Sequence, residues 1–184
     1  LDEALWSRAY ENMALTIGYK QTISQPYIVA RMTEHLISHT SRRGKVLNQV
    51  LEIGSGCGYQ SAVLSHFAND VFAVERIKPL VLKSRENLRD LKIRNVEVKH
   101  ANGFDGWEES KKFDGIICAA APRKYPEELI ELLEIGGKLV IPAGNEGEQK
   151  LYVITKINDT ENEEMIHEDV AFVPMLPGIS NGEI

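Results

Sequence analysis

Along the middle of the chain, apolar positions fall into short blocks that alternate between strand and helix spacing. Residues 50–53, Val-Leu-Glu-Ile, form a run that stops at glycines, and residues 59–67 carry Ala62, Val63 and Phe67 at helical spacing. The β-branched and aromatic run 71–74 predicts a second strand, and Pro79 opens a predicted helix that continues through Leu91. Val96-Glu97-Val98 alternates as a third strand, and residues 113–119 are an almost wholly apolar fourth. Residues 139–141 make a fifth, which Pro142 is expected to stop. A helix is predicted over 125–134, with Gly136-Gly137 as its C-terminal stop. Upstream, Ser24 reads as the N-cap of a helix that has Pro26 in its first turn and continues through Leu36 and Ile37.

Strands that are apolar on both faces and separated by helices predict a doubly wound α/β domain. Its sheet is mostly parallel, with helices on both faces. After Pro142 the pattern changes. Residues 150–156 alternate as a strand, 158–164 are polar and acidic like a turn, and 165–173 read as another strand. Two strands joined by a short turn are antiparallel neighbours, so the sheet is expected to end in a C-terminal antiparallel hairpin. With no repeat, low-complexity tract or linker, residues 1–184 are expected to form one domain. The chain opens on Leu1 inside a helical pattern, so an N-terminal segment is expected to be missing.

Composition narrows the classes. The chain has 184 residues, 43% hydrophobic and 26% charged, as in an ordinary globular protein. No apolar run approaches the roughly 18 residues of a membrane span, so no membrane partner is expected. A net charge of −6 without a clustered basic tract argues against nucleic acid as a partner. Cys57 and Cys118 form no CxxC pair and predict reduced thiols in a reducing, cytoplasmic setting. Of the five histidines, His35 and His39 share a helix face, but no further ligands stand at motif spacing, so no metal is expected. The sequence carries no signal for oligomeric state.

The most informative stretch is Leu51-Glu52-Ile53-Gly54-Ser55-Gly56-Cys57-Gly58-Tyr59, between the first predicted strand of the sheet and its helix. Glycines there admit positive φ and close approach of a ligand, and ligands of open α/β sheets bind off the carboxyl ends of the strands. The dinucleotide pattern G-x-G-x-x-G fails in either frame, because Tyr59 or Ser61 stands at the third position. No phosphate-binding G-K-[ST] follows either. The E-x-G-x-G-x-G that does stand here resembles S-adenosylmethionine-dependent methyltransferases. Glu75, at the end of the second predicted strand of the sheet, is placed to accept both hydroxyls of a ribose, and Asn102-Gly103 to meet an adenine. The plain alternatives are a surface pair of Glu75 with Arg76 or Lys78, and an ordinary Asn-Gly turn.

Further segments extend the resemblance: Ala9-Tyr10, Thr22-Ile23-Ser24-Gln25-Pro26, Val74-Glu75-Arg76-Ile77, Ala119-Ala120-Ala121-Pro122, Ile141-Pro142 and Phe172-Val173-Pro174. In order and spacing, over about residues 9 to 178, the chain resembles the protein-L-isoaspartate O-methyltransferases. The resemblance implies a Rossmann-like methyltransferase fold, S-adenosyl-L-methionine as methyl donor and isoaspartyl-containing proteins and peptides as partners. The reaction it implies is methylation of the isoaspartyl α-carboxylate, which starts repair to aspartyl. It also implies a donor site of Thr22, Ile23, Ser24, Glu52, Gly54, Ser55, Gly56, Gly58, Tyr59, Glu75, Arg76, Asn102 and Gly103. Ser24 is implied as the active-site residue, positioning the carboxylate with help from a helix start. Ala119, Ala120, Ala121 and Val173 are expected to lie against the peptide. The chain departs from the family pattern at Thr16, Tyr19 and Lys20, and in having Asn102 where an aspartate is common. The rival readings are another methyltransferase acting on RNA or a small molecule, a non-catalytic nucleoside-binding module and, more distantly, a nicotinamide-dependent dehydrogenase.

Overall fold

The computed structural model describes residues 1, 3–38, 47–108 and 110–182. A 3-10 turn at Glu3–Arg8 leads into a hairpin of β1 (Leu15–Gly18) and β2 (Gln21–Ile23), followed by α1 (Pro26–Ile37). Then come β3 (Leu47–Ile53), α2 (Tyr59–Leu64), β4 (Ala68–Glu75), α3 (Lys78–Asp90) and β5 (Val96–His100). The chain continues through β6 (Phe113–Cys118), α4 (Glu127–Glu131), β7 (Leu133–Ala143), β8 (Gln149–Lys156) and β9 (Asn162–Val170). The seven strands β3–β9 form one sheet in the order β5-β4-β3-β6-β7-β8-β9. The first five are parallel, and β8 runs antiparallel to both β7 and β9.

The strand order dictates where the helices go. Right-handed crossovers that step one way across the sheet put their helices on one face, and those that step the other way use the opposite face. Val50 of β3 and Val71 of β4 pack with Ile28, Met32 and Leu36 of α1 and with Leu64 of α2. Two residues on from Val71, Ala73 packs with Val81 and Leu88 of α3, so α1, α2 and α3 share a face. The opposite face of β3, Leu51 and Ile53, packs with Leu129 and Ile130 of α4. That second cover is thin: between β5 and β6 the described residues form only a 3-10 turn, at Gly103–Asp105.

Several boundaries differ from the sequence pattern. The predicted helix over 125–134 is five residues long, and it ends at Leu132 rather than at a left-handed glycine. Phe113 pairs with Leu133 and Gly115 with Lys138, so three extra residues bulge out of β7. Gly136 takes φ +83° inside that bulge. A Cβ on Gly137 would lie 2.9–3.1 Å from three carbonyl oxygens. The glycine pair therefore serves a strand irregularity, not a helix end. β7 runs on through Pro142, where it pairs with β8 alone. β9 begins inside the predicted turn and ends before Phe172, since Asn162 already pairs with Lys156. His39, expected to share a helix face with His35, lies outside the described residues.

The β1–β2 turn carries strain. Tyr19 and Lys20 hold φ of +54° and +56°, a region that costs a residue with a Cβ about 1–2 kcal/mol. Lys20→Gly removes one such cost and adds chain entropy to the unfolded state, so a net gain of about 0.5–1 kcal/mol is expected. Urea unfolding checks this: a variant no more stable than the parent rules out a strained turn.

Candidate functional site

The order of the sheet reverses between β3 and β6, whose chains leave in opposite directions from Ile53 and Cys118. A cavity opens off their carboxyl ends, as topological reversal points generally provide. It encloses about 860 Å³, some of it open to solvent. Ile17, Gln21, Thr22, Ile23 and Ser24 of the hairpin and its exit line one side, with Met175 and Leu176 of the C-terminal segment. The turn after β3, the end of β4 and Ala119-Ala120 line the other.

Gly54, Gly56 and Gly58 take φ of +88°, +51° and +87°, which folds the turn back on itself. Gly54 and Ser55 donate N–H bonds to Val74 O, so the turn is fastened to β4. Glu75 fastens it again. Gly56 N–H donates to its Oε2 and Ile77 N–H to its Oε1, each at 2.9 Å. Neither Arg76 nor Lys78 forms a salt bridge with Glu75, so the surface-pair reading fails. Burial pushes the Glu75 carboxyl up, while the two N–H donors pull the other way. Glu52 lies deeper. Its Oε2 accepts from Ser61 Oγ of α2, its Oε1 has no partner, and burial pushes its pKa from an ordinary 4.5 to about 8. Ser55 Oγ, also buried, has no partner either. Two unpartnered polar atoms beside apolar Ile17, Val74 and Met175 suit a ligand with a polar end and a flat apolar part.

A second groove runs outside this cavity, between the start of α1 and residues 168–173. Four residues line both: Thr22, Ser24, Ala119 and Val173. They are the doorway between the two spaces. Ser24 does not cap α1, whose N-cap is Gln25 with no side-chain bond. The helix start offers few free donors. Pro26 has no N–H, Tyr27 donates to Asn12 Oδ1 and Ile28 to Gln25 O. The free N–H groups expected to hold an anion at that terminus are thus engaged within the fold. What Ser24 does offer is a half-buried hydroxyl without a hydrogen-bond partner among the described residues.

Of the remaining predicted residues, Ile23, Tyr59, Arg76, Gly103 and Ala120 line the cavity, while Gly58, Asn102 and Ala121 do not. Gly58 starts α2 against α3, and a Cβ there would lie 2.8 Å from Ser84 Oγ. The Asn102 amide is spent locally: Nδ2 donates to Asp105 Oδ1, and Oδ1 accepts from Phe104 and Gly178 N–H. Ala121 bonds by its backbone to Val173 and Met175. The carbonyl of Val173 is consumed in that contact, which leaves less main chain for an incoming strand than expected. The pattern reading missed Gln60, whose Nε2 donates to Thr33 Oγ1 at 3.0 Å beneath the cavity, and the Met175-Leu176 wall. A polar residue inside an otherwise buried helix turn was the available signal for Gln60. Nothing in residues 175–176 marks them in sequence.

The buried Glu52 makes stability depend on pH. Its folded-state pKa lies above the unfolded one, so from about pH 5 to about pH 8 the unfolded chain has released a proton that the folded chain keeps. Stability of the ligand-free protein should fall through that window and level off above it. Glu52→Gln, neutral at every pH, should flatten the fall, with a smaller residue left from Glu75. Urea midpoints at pH 5, 6.5 and 8 decide it, and equal slopes in parent and variant would contradict the assignment.

Known proteins resemble this chain in sequence and in fold. The family model for protein-L-isoaspartate(D-aspartate) O-methyltransferase matches residues 1–179. A protein-L-isoaspartate O-methyltransferase of Methylobacillus flagellatus is 52% identical over 181 residues, 97% of this chain and 78% of its own length. One of Cellvibrio japonicus is 50% identical over 182 residues, again 97% and 78%. Among solved structures, a Plasmodium falciparum protein assigned to the same enzyme, in complex with S-adenosyl-L-homocysteine, superposes with a TM-score of 0.74 at 32% identity. The superposition covers 91% of this chain and 81% of that one. With a family match over residues 1–179 and relatives about 50% identical along nearly its whole length, the chain belongs to the protein-L-isoaspartate(D-aspartate) O-methyltransferase family.

Proposed function

We propose that this chain is an enzyme that transfers the methyl group of S-adenosyl-L-methionine to the free α-carboxylate of L-isoaspartyl residues in damaged proteins and peptides. The observation that carries the reading is the doorway, where one cavity and one outer groove meet at Thr22, Ser24, Ala119 and Val173. The inner cavity takes the donor, with Glu75 toward the ribose and the unpartnered Glu52 and Ser55 atoms toward polar groups. The groove takes an extended peptide. Residues 1–184 are read as one catalytic domain.

The donor supplies an electrophilic methyl group on a sulfonium. A substrate carboxylate, with a pKa near 4, is already ionised at pH 7, so this chain needs no general base. Its work is alignment and removal of water. Ser24 Oγ donates to one carboxylate oxygen and leaves the other facing the methyl group. As the new C–O bond forms, the C–S pair returns to sulfur. Burial pushes the thiols of Cys57 and Cys118 up, the latter to about 12, so neither competes as a nucleophile. No helix of the described residues is long and apolar enough to cross a membrane. Two free thiols, Cys57 and Cys118, fit the reducing cytoplasm as compartment.

Ser24 is the cleaner probe of this reading. Removing Glu75 strands two buried N–H donors at about 1–3 kcal/mol each, whereas Ser24 caps nothing. Ser24→Ala should leave stability unchanged and lower kcat/KM for an isoaspartyl peptide roughly 10- to 100-fold, one charged hydrogen bond. Ser24→Asp should be less active still, by repulsion of the substrate carboxylate. Transfer of labelled methyl to the isoaspartyl peptide, with the aspartyl peptide as control, measures both. Equal labelling of the two peptides would overturn the substrate assignment, and full activity of Ser24→Asp would overturn the role of Ser24.

A further inference from the structure

Away from the cavity, the edge strand β9 carries a bulge. Lys150 pairs with Asp169 and Tyr152 with Ile166, so His167 and Glu168 together stand opposite the single residue Leu151. In a regular strand, neighbouring side chains point to opposite faces; a bulge of two residues against one re-aims them, and such bulges gather beside functional sites. Leu151 faces α1, where it packs with Ile28, Met32 and Leu36. His35 of the same helix reaches the bulge. Its ring centroid lies 4.0 Å from that of His167. The Nε2 atom of His35 is buried and has no hydrogen-bond partner. The ligating atoms of His35, His167 and Glu168 all lie within 4.8 Å of one another.

We propose that His35, His167 and Glu168 form a binding site for a divalent transition metal of the zinc type, joining α1 to the bulge of β9. Two imidazole nitrogens and one carboxylate oxygen are a common zinc donor set, with the fourth position open. Ligand atoms around tetrahedral zinc stand about 3.3 Å apart. The ligand atoms therefore have to draw together by up to about 1.5 Å to close around the ion. The buried nitrogen of His35 gains the partner it lacks. Glu168 also holds Arg31 Nε at 3.2 Å through Oε1, which orients its carboxylate. Glu168 lines the outer groove, α1 starts two residues after Ser24, and β9 ends three residues before Val173. The metal thus ties together the two walls between which the peptide is read to lie, though the site stands on its own residues and not on that reading.

The test is calorimetric titration of zinc chloride into the full chain after dialysis against a chelator, with neither methyl donor nor peptide present. One equivalent should bind, and the melting temperature should rise with added zinc. His35→Gln, His167→Gln and Glu168→Gln, each checked for native circular dichroism, should weaken binding at least 10-fold. Cobalt(II) should give the visible absorption of a low-coordinate His–carboxylate site in the parent and lose it in His167→Gln. The absence of a one-equivalent isotherm in the parent, or unchanged affinity in the folded histidine variants, overturns the site. Because no turnover is read, failure here leaves the methyl-transfer reading intact, and the reverse also holds.

Discussion

β3 is hydrogen-bonded between β4, which carries the sheet one way, and β6, which carries it the other. Val50, Leu51, Glu52 and Ile53 are buried on both faces as a result. Parallel neighbours on both sides force the chain to cross over the sheet on opposite faces, so at the carboxyl end of β3 the covering layers part. The cavity is that parting. Its walls are loops because loops are what leave a sheet there, and its floor is rigid because three parallel strands end beside one another. The glycine turn then has one task, which is to leave β3 without filling the opening.

How far the site reads from sequence depends on whether the determinant is local. The left-handed glycines at 54, 56 and 58 and the carboxylate at the end of β4 are legible, because backbone conformation and strand position are written in neighbouring residues. The parallel core is legible for the same reason, from runs that are apolar on both faces. Asn102 and Ala121 read as site residues but are not placed there. Ala121 is claimed by Met175 of the C-terminal segment, and the Asn102 amide by Asp105 and Phe104 beside it as well as by Gly178 N–H. Ser24 reads as a cap from its identity and from Pro26, yet the helix begins one residue later than a Ser24 cap requires. Gly136-Gly137 has the look of a helix stop, but a register shift between β6 and β7 uses it instead. Non-local pairing decides Ala121 and the glycine pair, and pattern has no access to it.

Glu75 and Glu52 show how the protein holds acids inside a largely apolar wall. Glu75 stays anchored because two backbone N–H groups point at it, and those same bonds set the shape of the turn. Burial favours the neutral acid at Glu52, against the pull of the Ser61 hydroxyl on one oxygen, while the other oxygen has no partner. The two carboxyls are neighbours in the fold and are coupled unfavourably. A cationic ligand group nearby would favour the charged form of both.

An enzyme of a family that acts on damaged proteins has to keep its own sheet from pairing with them. The edge strand β9 is the exposed side of a seven-stranded sheet, an open row of main-chain donors and acceptors. Glu163, Glu164, Glu168 and Asp169 place four negative charges along it, and the bulge at His167-Glu168 breaks its repeat. Damaged, partly unfolded chains are the species most ready to add a strand to such an edge. The charges and the irregular register deny them a template, so a misplaced strand finds neither a neutral edge nor a continuous repeat to extend.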